Sequence, residues 1–324
     1  MTYKTTCIFI LFFSCRTLFA QSSKSEIGIR SDNDAYLAKG SDKYYTDGLF
    51  LFYRHGLAIA TNSKLQNKVL GFEIGQKIFN PHTGSIADIE HIDRVEKIDR
   101  PFAAYLYLEA TLNLLYKNES NIKLGAQAGY VGPNAFGRQV QTFVHKSFGF
   151  YCPSGWEYQV ENDLELNLAA EYNCLLAKGQ WVDLSLTSYA NVGNGFTGAG
   201  LGTMVRIGQF NNLYNSISTQ STAIRQKSAT TAPHKEFFFY YKPQININVY
   251  DATVQGSMFR HKNDNGLQVT LQPTRFVLAN QIGAAYSGKR FGVDVACIFH
   301  TKDVKSMSHA HQWGTISLTM HVGG

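Results

Sequence analysis

The chain lacks the features that mark several common classes of protein. Beyond its first 20 residues, no apolar run approaches the roughly 20 residues that a membrane-spanning helix needs. It has no Gly-x-Ser-x-Gly motif, which argues against a serine hydrolase of the soluble kind. Its ten histidines show no zinc-ligand spacing, and His309 and His311 have no carboxylate at ligand spacing along the chain. The sequence therefore predicts neither a membrane-spanning helix nor a zinc site.

Cysteine and net charge are also low. Of five cysteines, Cys7 and Cys15 lie in the first 20 residues, which leaves Cys152, Cys174 and Cys297. An odd number rules out a fully paired disulfide framework. The formal charge of +6 is modest for 324 residues. It fits an anionic partner such as a phosphorylated lipid surface, but it equally fits no particular partner, and we expect no nucleic-acid binding.

The first 20 residues form a secretory signal pattern. Lys4 supplies a positive charge, residues 7–13 form a short apolar core, and Ala20 precedes the expected cleavage point. We therefore expect residues 1–20 to be a signal peptide and residues 21–324 to form one exported domain.

Strict alternation of apolar and polar residues dominates the exported part. Between Phe102 and Tyr116, apolar side chains recur at every second position, which is the period of a β-strand with one apolar face. The 22 Phe, 18 Tyr and 28 Gly residues also favour strands and turns. The pattern predicts twelve strands, at about 24–33, 47–59, 66–79, 101–116, 121–131, 161–177, 180–193, 197–209, 236–250, 272–287, 289–301 and 311–322.

Two all-β architectures fit this alternation. An even number of long alternating strands behind a signal peptide is typical of an outer-membrane β-barrel, whereas a secreted β-sandwich is the soluble rival. The apolar face is nearly unbroken, and polar residues such as Glu165, Asn167 and Asp183 recur on the other face, where a sandwich needs a dry core. We therefore predict a transmembrane antiparallel β-barrel of about 12 strands, with a short helix in an extracellular loop.

An up-and-down barrel places every second connection at the same rim. The connections that would share one rim are 33–47, 80–100, 132–159, 194–195, 251–273 and 301–311, and most of the others are short turns. Long loops at one rim and short turns at the other follow the barrel rule. The exception is residues 210–235, a polar stretch rich in Ser, Thr and Gln at the short-turn rim, which we interpret as a flexible insertion.

The connection at 132–159 changes period and predicts an amphipathic helix from Asn134 to Phe148. Its apolar side carries Phe136, Val140, Phe143 and Val144, and its opposite side carries Arg138, Gln141 and His145. Two interpretations are open: the polar side carries a catalytic histidine, or it merely meets water. The segment on its own favours the second.

Two polar clusters fall on the same predicted rim as His145. The first comprises residues 32–34 and 41–48, whose oxygen-rich side chains suit a hard cation such as calcium, although Asn and Asp also cap turns. The second is Asp99-Arg100-Pro101, where the arginine could hold a phosphate or form an ordinary rim ion pair.

These motifs together resemble those of the outer-membrane lipid A 3′-O-deacylase family (LpxR-type). The resemblance extends over essentially the whole exported chain. It rests on Asn33-Asp34, Asp42 with Tyr45-Thr46-Asp47-Gly48, Asp99-Arg100-Pro101-Phe102-Ala103, Gly129-Tyr130-Val131-Gly132-Pro133, Gly137, Gln141, His145, and Gly155-Trp156 with Gln159. It implies a twelve-stranded barrel in the bacterial outer membrane, with its site on the side of the extracellular leaflet. It also implies Ca²⁺-dependent hydrolysis that removes the 3′-linked acyloxyacyl group from the lipid A of lipopolysaccharide.

The resemblance also assigns roles to residues. It implies that His145 is the general base, that Asn33 and Asp34 belong to the calcium site, and that Thr46 and Gln141 position substrate or water. Binding of lipid A phosphates by Arg100 and Lys43 is our own inference. Glu157 and Glu161 are candidates for a carboxylate partner of His145. We expect a monomer.

The chain departs from the family pattern at three places. Asp32 stands where Glu is more familiar, Asp47 stands where Asn is common, and the last residues lack the terminal aromatic typical of barrel assembly signals. Two other functions remain open: a non-enzymatic outer-membrane channel or binding barrel, and an outer-membrane phospholipase.

Overall fold

The computed structural model describes residues 23–37, 43–82, 97–151, 153–225, 235–259 and 267–323, and twelve β-strands dominate them. The strands are β1 (Ser25–Asn33), β2 (Tyr44–Gly56), β3 (Leu65–Asn80), β4 (Ala103–Tyr116), β5 (Ser120–Val131), β6 (Asp163–Lys178), β7 (Val182–Gly193), β8 (Phe196–Gln209), β9 (Glu236–Asp251), β10 (Phe276–Ser287), β11 (Phe291–His300) and β12 (His311–Val322). The prediction of twelve strands is confirmed. The largest difference is at the start of β10, predicted at 272 and found at Phe276.

The strands close into a barrel. Each pairs antiparallel with its neighbours in sequence, and β1 pairs with β12 from Ser25↔Val322 to Asn33↔Gly314. Closure removes the unpaired sheet edges on which other chains could add. The predicted antiparallel barrel is therefore confirmed, and the β-sandwich alternative is wrong.

The two faces of the wall differ in polarity as the alternation predicts. On β6, Leu164, Leu166 and Leu168 are 50–60% exposed on the outside, whereas the intervening Glu165 and Asn167 are buried. Exposed leucines on the outside of a barrel with a polar lumen form the surface that lipid covers. No helix among the described ranges is both long and apolar enough to cross a membrane.

The two rims carry different structures. The rim at the ends of β1, β3, β5, β7, β9 and β11, here called the helix rim, carries helix α1 (Gly137–Phe148) and the short helix α2 (Ala252–Gln255). It also carries 3₁₀ turns at Asp34–Leu37, Pro133–Ala135 and Trp156–Tyr158. The opposite rim carries short turns and 3₁₀ turns at Leu213–Asn215 and Ile217–Thr219.

Residues 210–225 form a plug in the opposite rim rather than a flexible insertion. Asn67 on β3 donates from Nδ2 to the carbonyls of Tyr214, Ser221 and Ala223 at 2.8–3.2 Å. Asn113 on β4 donates to the carbonyl of Thr219 at 2.9 Å. The expectation of flexibility is wrong for this part because its polar groups are satisfied by polar side chains of the lumen. Residues 226–234 lie outside the described part of the chain.

An arginine of the wall, held in a buried ion pair, also binds the plug. Arg206 on β8 is fully buried, and its Nε and Nη2 donate to the carboxylate of Asp183 on β7 at 3.0 and 2.5 Å. Its Nη1 donates to Ser216 Oγ at 2.9 Å, and the same hydroxyl donates to Glu236. Two parallel hydrogen bonds of this kind fix the orientation of the guanidinium and also strengthen the ion pair. Plug residues and inward-facing side chains of the wall line a polar lumen cavity of about 580 Å³.

The predicted signal peptide, residues 1–20, lies outside the described residues, as does Cys152. Cys174 and Cys297 are both free thiols.

Candidate functional site

Helix α1 lies against the outer surface of the wall at the helix rim. The 3₁₀ turn Pro133–Ala135 precedes it, and Gln76 on β3 donates to the carbonyl of Ala135 at 2.6 Å. Ala135 and Trp156 pack with Ile78 and Ala104, two outward-facing residues of β3 and β4. A Cβ on Gly137 would lie 2.5 Å from the Cβ of Ala104. Glycine therefore allows the first turn of α1 to approach the wall closely.

The chain turns sharply to deliver the helix. Gly132 has a φ of 100°, and Phe136, at the N-terminus of α1, has a φ of 59°. A bulky residue in the left-handed region is strained, at a cost of about 1–3 kcal/mol that the surrounding contacts must offset. Such strain is concentrated at functional sites, so the backbone at the start of α1 supports a functional role for this segment.

The polar side of α1 faces the protein, and its apolar side faces outward. Gln141 and His145 are buried, at 0% and 4% exposure, whereas Phe143 and Phe148 are 72% and 71% exposed. The helix wheel is therefore confirmed, but the interpretation that the polar side meets water is wrong for these two residues. Arg138 is exposed and does not join them.

Gln141 is held by the indole of Trp156. Trp156, 1% exposed, donates from Nε1 to Gln141 Oε1 at 2.8 Å. The amide Nε2 of Gln141 is buried and has no hydrogen-bond partner among the described residues. Buried amide groups are seldom left unpaired, and an orphaned donor of this kind is what a bound substrate carbonyl or water would satisfy.

His145 has a fixed tautomer. Its Nδ1 lies 2.8 Å from the carbonyl oxygen of Tyr151. A carbonyl only accepts, so Nδ1 carries the proton and, in the neutral ring, Nε2 is the basic nitrogen. The rings of Phe150 and Tyr151 stand edge-on to the imidazole, at centroid distances of 5.7 and 4.7 Å. A backbone carbonyl thus orients Nδ1, where sequence reasoning suggested the carboxylate of Glu157 or Glu161.

Thr46 lies in a β-bulge beside the helix. Tyr45 pairs with Phe79 and Asp47 pairs with Ile78, so Thr46 is the extra residue of β2. A bulge re-aims side chains and is common next to active sites. Thr46 is 1% exposed, and its hydroxyl has no hydrogen-bond partner in the described part of the chain. It lies on the strand beside Ile78, over which the α1 segment packs.

Asn33 and Asp34 lie next to the bulge. Asn33 pairs with Asp47 across β1 and β2, and its side-chain amide donates to the Asp47 carboxylate. Asp34 is 3% exposed, and its carboxylate accepts from the backbone N–H of Lys43 at 3.2 Å. The carboxylates of Asp34 and Asp47 and the hydroxyl of Thr46 are hard oxygen donors of the kind that calcium prefers. The amide oxygen of Asn33 is a further hard donor and accepts from the backbone N–H of Ala35 at 2.7 Å. By chemical type, these donors suit a calcium ion.

Arg100 is structural in this conformation. It is 2% exposed, its Nη2 donates to Thr253 Oγ1 at 3.1 Å, and its guanidinium lies 3.9 Å from the centroid of Phe79. Burial lowers the pKa of Arg100 to about 10, and the carboxylates of Asp251, Asp303 and Asp99 oppose this shift. A guanidinium in this position is not presented to a lipid phosphate, whereas Lys43 is half-buried at the edge of the site.

Three features of this rim were not predicted from the sequence. The Trp156–Gln141 hydrogen bond and the orienting carbonyl of Tyr151 depend on how a loop folds back, and nothing in the residue spacing reveals them. Residue spacing shows no carboxylate at ligand spacing from His311 along the chain, but in the fold Asp303 Oδ2 lies 3.3 Å from His311 Nε2. A scan for histidines at the paired ends of neighbouring predicted strands could have found this last contact.

Comparison with known proteins gives one family match. A family model described as "Outer membrane protein LpxR" matches residues 6–322. LpxR from Salmonella typhimurium has a similar structure, with a TM-score of 0.70 and 20% sequence identity over 92% of this chain and 100% of that chain. The β-domain of the Bordetella autotransporter BrkA gives a TM-score of 0.46 at 7% identity, over 93% of this chain and 100% of that one. No curated protein matches.

Proposed function

The chain belongs to the LpxR family of outer membrane proteins, and from this premise we propose that it is a calcium-dependent lipid A 3′-O-deacylase. The observation that carries the proposal is the orientation of α1, which buries Gln141 and His145 against the barrel wall and turns its apolar side outward. The reaction is hydrolysis of the ester that links the 3′ acyloxyacyl group to lipid A.

The exposed apolar side of α1 supports a lipid substrate. Phe143, Phe148 and Phe150 are 63–72% exposed beside the lipid-facing wall. Exposed aromatic residues of this size are stable in contact with acyl chains and costly in contact with water. A histidine between such a helix and the wall would lie at the depth of a lipid ester. With the helix rim outward, that depth is the extracellular leaflet of the outer membrane.

His145 is suited to act as general base. Because the carbonyl of Tyr151 places the proton on Nδ1, Nε2 is the atom that would remove a proton from water. The water oxygen then attacks the ester carbonyl carbon, and collapse of the tetrahedral species breaks the bond to the sugar oxygen. The proton returns from Nε2 to that oxygen, so the products are a carboxylic acid and an alcohol.

The oxygen-rich cluster beside the helix would hold calcium. Asn33 and Asp34 would bind the ion, with Asp47 and Thr46 next to them. Bound there, calcium would act as a Lewis acid toward the developing oxyanion. Thr46 and Gln141, each with a buried polar atom that no described residue satisfies, would position the substrate or the attacking water. Lys43 would meet a lipid A phosphate. The burial of Arg100 makes it a support of the rim rather than a phosphate ligand.

The plug disfavours a channel. Residues 210–225 lie in the rim opposite α1 and are tied to the wall by hydrogen bonds from Asn67, Asn113 and Arg206. Solutes that enter the lumen from the helix rim would meet this plug. The plug therefore argues against conduction through the barrel. An outer-membrane phospholipase is distinguished by substrate, because phospholipid offered alone should not be hydrolysed.

Mass spectrometry of lipid A from cells expressing the chain tests the proposal. We expect loss of one acyloxyacyl mass, abolished by His145→Ala and by calcium chelation. Ser147→Ala is a matched control, since Ser147 is exposed on the same helix and its hydroxyl donates to the backbone carbonyl of Phe143. Unchanged lipid A in the presence of a folded, surface-exposed parent barrel would refute the proposal.

A further inference from the structure

A second cluster of metal-ligating side chains lies on a different part of the helix rim. His300 is the last residue of β11, His311 is the first residue of β12, and the two are directly paired across the strands. Side chains of such a pair stand on the same face with Cβ atoms about 4.5–5.5 Å apart. Both side chains lie on the same face of the sheet as Trp313, whose side chain lines the lumen cavity.

Asp303, in the loop between these strands, completes the cluster. His300 Nδ1 lies 3.3 Å from Asp303 Oδ1, and His311 Nε2 lies 3.3 Å from Asp303 Oδ2. One ligand atom from each of the three residues lies within 4.8 Å of the other two. Neighbouring ligand atoms of a tetrahedral zinc site, with bonds of about 2.0–2.1 Å, are about 3.3 Å apart. Each nitrogen–oxygen distance has that length, but the two end on different oxygens of Asp303, and His300 Nδ1 also lies within hydrogen-bond distance of Asp303 Oδ1. A metal ion would take one oxygen of Asp303 and one nitrogen of each histidine, which lie within 4.8 Å of one another.

The loop that carries Asp303 is held in place. The N–H of Thr274 donates to the carbonyl of Asp303 at 2.8 Å, and the N–H of Lys305 donates to the carbonyl of Gln272 at 3.1 Å. Val304, between them, is fully buried. A ligand on a rigid segment is preorganised, so little conformational entropy is lost when a metal binds.

His311 is a buried histidine whose ring nitrogens lack hydrogen bonds to the described residues. It is 6% exposed, and neither ring nitrogen has a hydrogen bond to any described residue, since the contact with Asp303 is close but not aligned as one. Its ring stacks on Trp313 at a centroid distance of 5.1 Å. A buried imidazole without hydrogen bonds is costly, and a metal ion at one nitrogen would remove part of that cost.

Both positive and negative groups surround the three side chains of this cluster. The Asp303 carboxylate lies beside His300 and His311, and the positive charge of Arg100 is also near it. The Asp303 carboxylate would supply the oxygen ligand, and the two histidines would supply nitrogen ligands. The nearby charge of Arg100 opposes any bound cation, and the negative charge of Asp303 offsets it.

We propose that His300, Asp303 and His311 form a binding site for a divalent transition metal of the zinc class, separate from the calcium site proposed above. Two imidazoles and one carboxylate suit zinc, whereas calcium takes oxygen ligands. Three protein ligands leave one position of the tetrahedron for water or another ligand. This site does not depend on the proposed deacylase activity.

Cobalt(II) is the probe, because its visible absorption reports tetrahedral coordination by nitrogen and oxygen ligands. The detergent-solubilised full barrel, stripped of metal by chelation, should take up one equivalent of cobalt with a tetrahedral spectrum that zinc, but not calcium, displaces. Asp303→Asn and His311→Gln should weaken cobalt binding by at least about 100-fold, because even outer-sphere partners contribute about 10–100-fold. Both variants should keep the heat-modifiable electrophoretic mobility of a folded barrel.

His309→Gln is the matched control, since this histidine lies in the same loop but outside the cluster. It should keep the parent affinity and spectrum. Parent-like binding by Asp303→Asn, equal loss in His309→Gln, or no tetrahedral spectrum in the folded parent would each overturn the proposal. Zinc should also raise the thermal unfolding temperature of the parent and not that of Asp303→Asn. None of these measurements involves hydrolysis, so their failure is distinct from failure of the proposed function.

Discussion

Trp156→Phe is the sharpest test of how the site is organised. The change keeps an aromatic ring in the cluster with Phe102 and Ala104 but removes the indole N–H that donates to Gln141 Oε1 at 2.8 Å. Gln141 is fully buried, so bulk solvent does not replace the lost donor at Oε1. The side-chain amide would rotate in search of a partner, and its Nε2 would no longer point where substrate or water is expected. We predict slower hydrolysis with a correctly folded barrel.

The size of the effect follows from burial. Leaving a buried acceptor unsatisfied costs about 1–3 kcal/mol. If that loss appears in the transition state, the rate falls by about 5- to 150-fold, because about 1.4 kcal/mol is one factor of ten. The assay is the initial rate of acyloxyacyl release from purified lipid A, measured by mass spectrometry.

A double-mutant cycle separates orientation from packing. In Gln141→Met, which has no amide, Trp156→Phe should cause little further change in rate or in the free energy of unfolding, because the interaction it removes is already absent. An equal loss in both backgrounds would refute the reasoning and assign Trp156 a packing role alone. Unfolding in urea provides the second readout where residual activity is too low to measure.

Three further predictions follow from other parts of the structure. Gly137→Val should displace α1, since even a Cβ would lie 2.5 Å from Ala104 Cβ, and should lower activity while heat modifiability shows an intact barrel. Arg206→Met should lower the free energy of unfolding, measured in urea, by about 3–5 kcal/mol, because it leaves the Asp183 carboxylate buried and unpaired. The double variant Arg206→Met, Asp183→Leu should recover most of that loss. Calcium chelation should abolish hydrolysis and leave the barrel folded, and readdition of calcium should restore the rate; a chelated enzyme of full activity would contradict the calcium proposal.

The sequence was informative wherever one physical pattern decided the structure. Alternation gave twelve strands with bounds close to those observed, because each strand has lipid on one side and a polar lumen on the other. It did not reveal the plug, because Ser, Thr and Asn serve equally in a solvated loop and in a segment that hydrogen-bonds to Asn67 and Asn113. Nor did it reveal the cluster around Asp303, since only the pairing of β11 with β12 brings His300 and His311 together.

The orientation of α1 shows why a helix wheel alone misleads at a membrane. In a water-soluble protein, the side with Val140 and Phe143 would pack inward and the side with His145 would meet water. Here the surrounding phase at the wall is apolar, so burying Gln141 and His145 against the barrel removes polar groups from lipid. The same inversion would place a basic histidine at the boundary between protein and acyl chains. A lipid ester lies at such a boundary, and a soluble substrate would have to cross the exposed aromatic side chains of the helix to reach it.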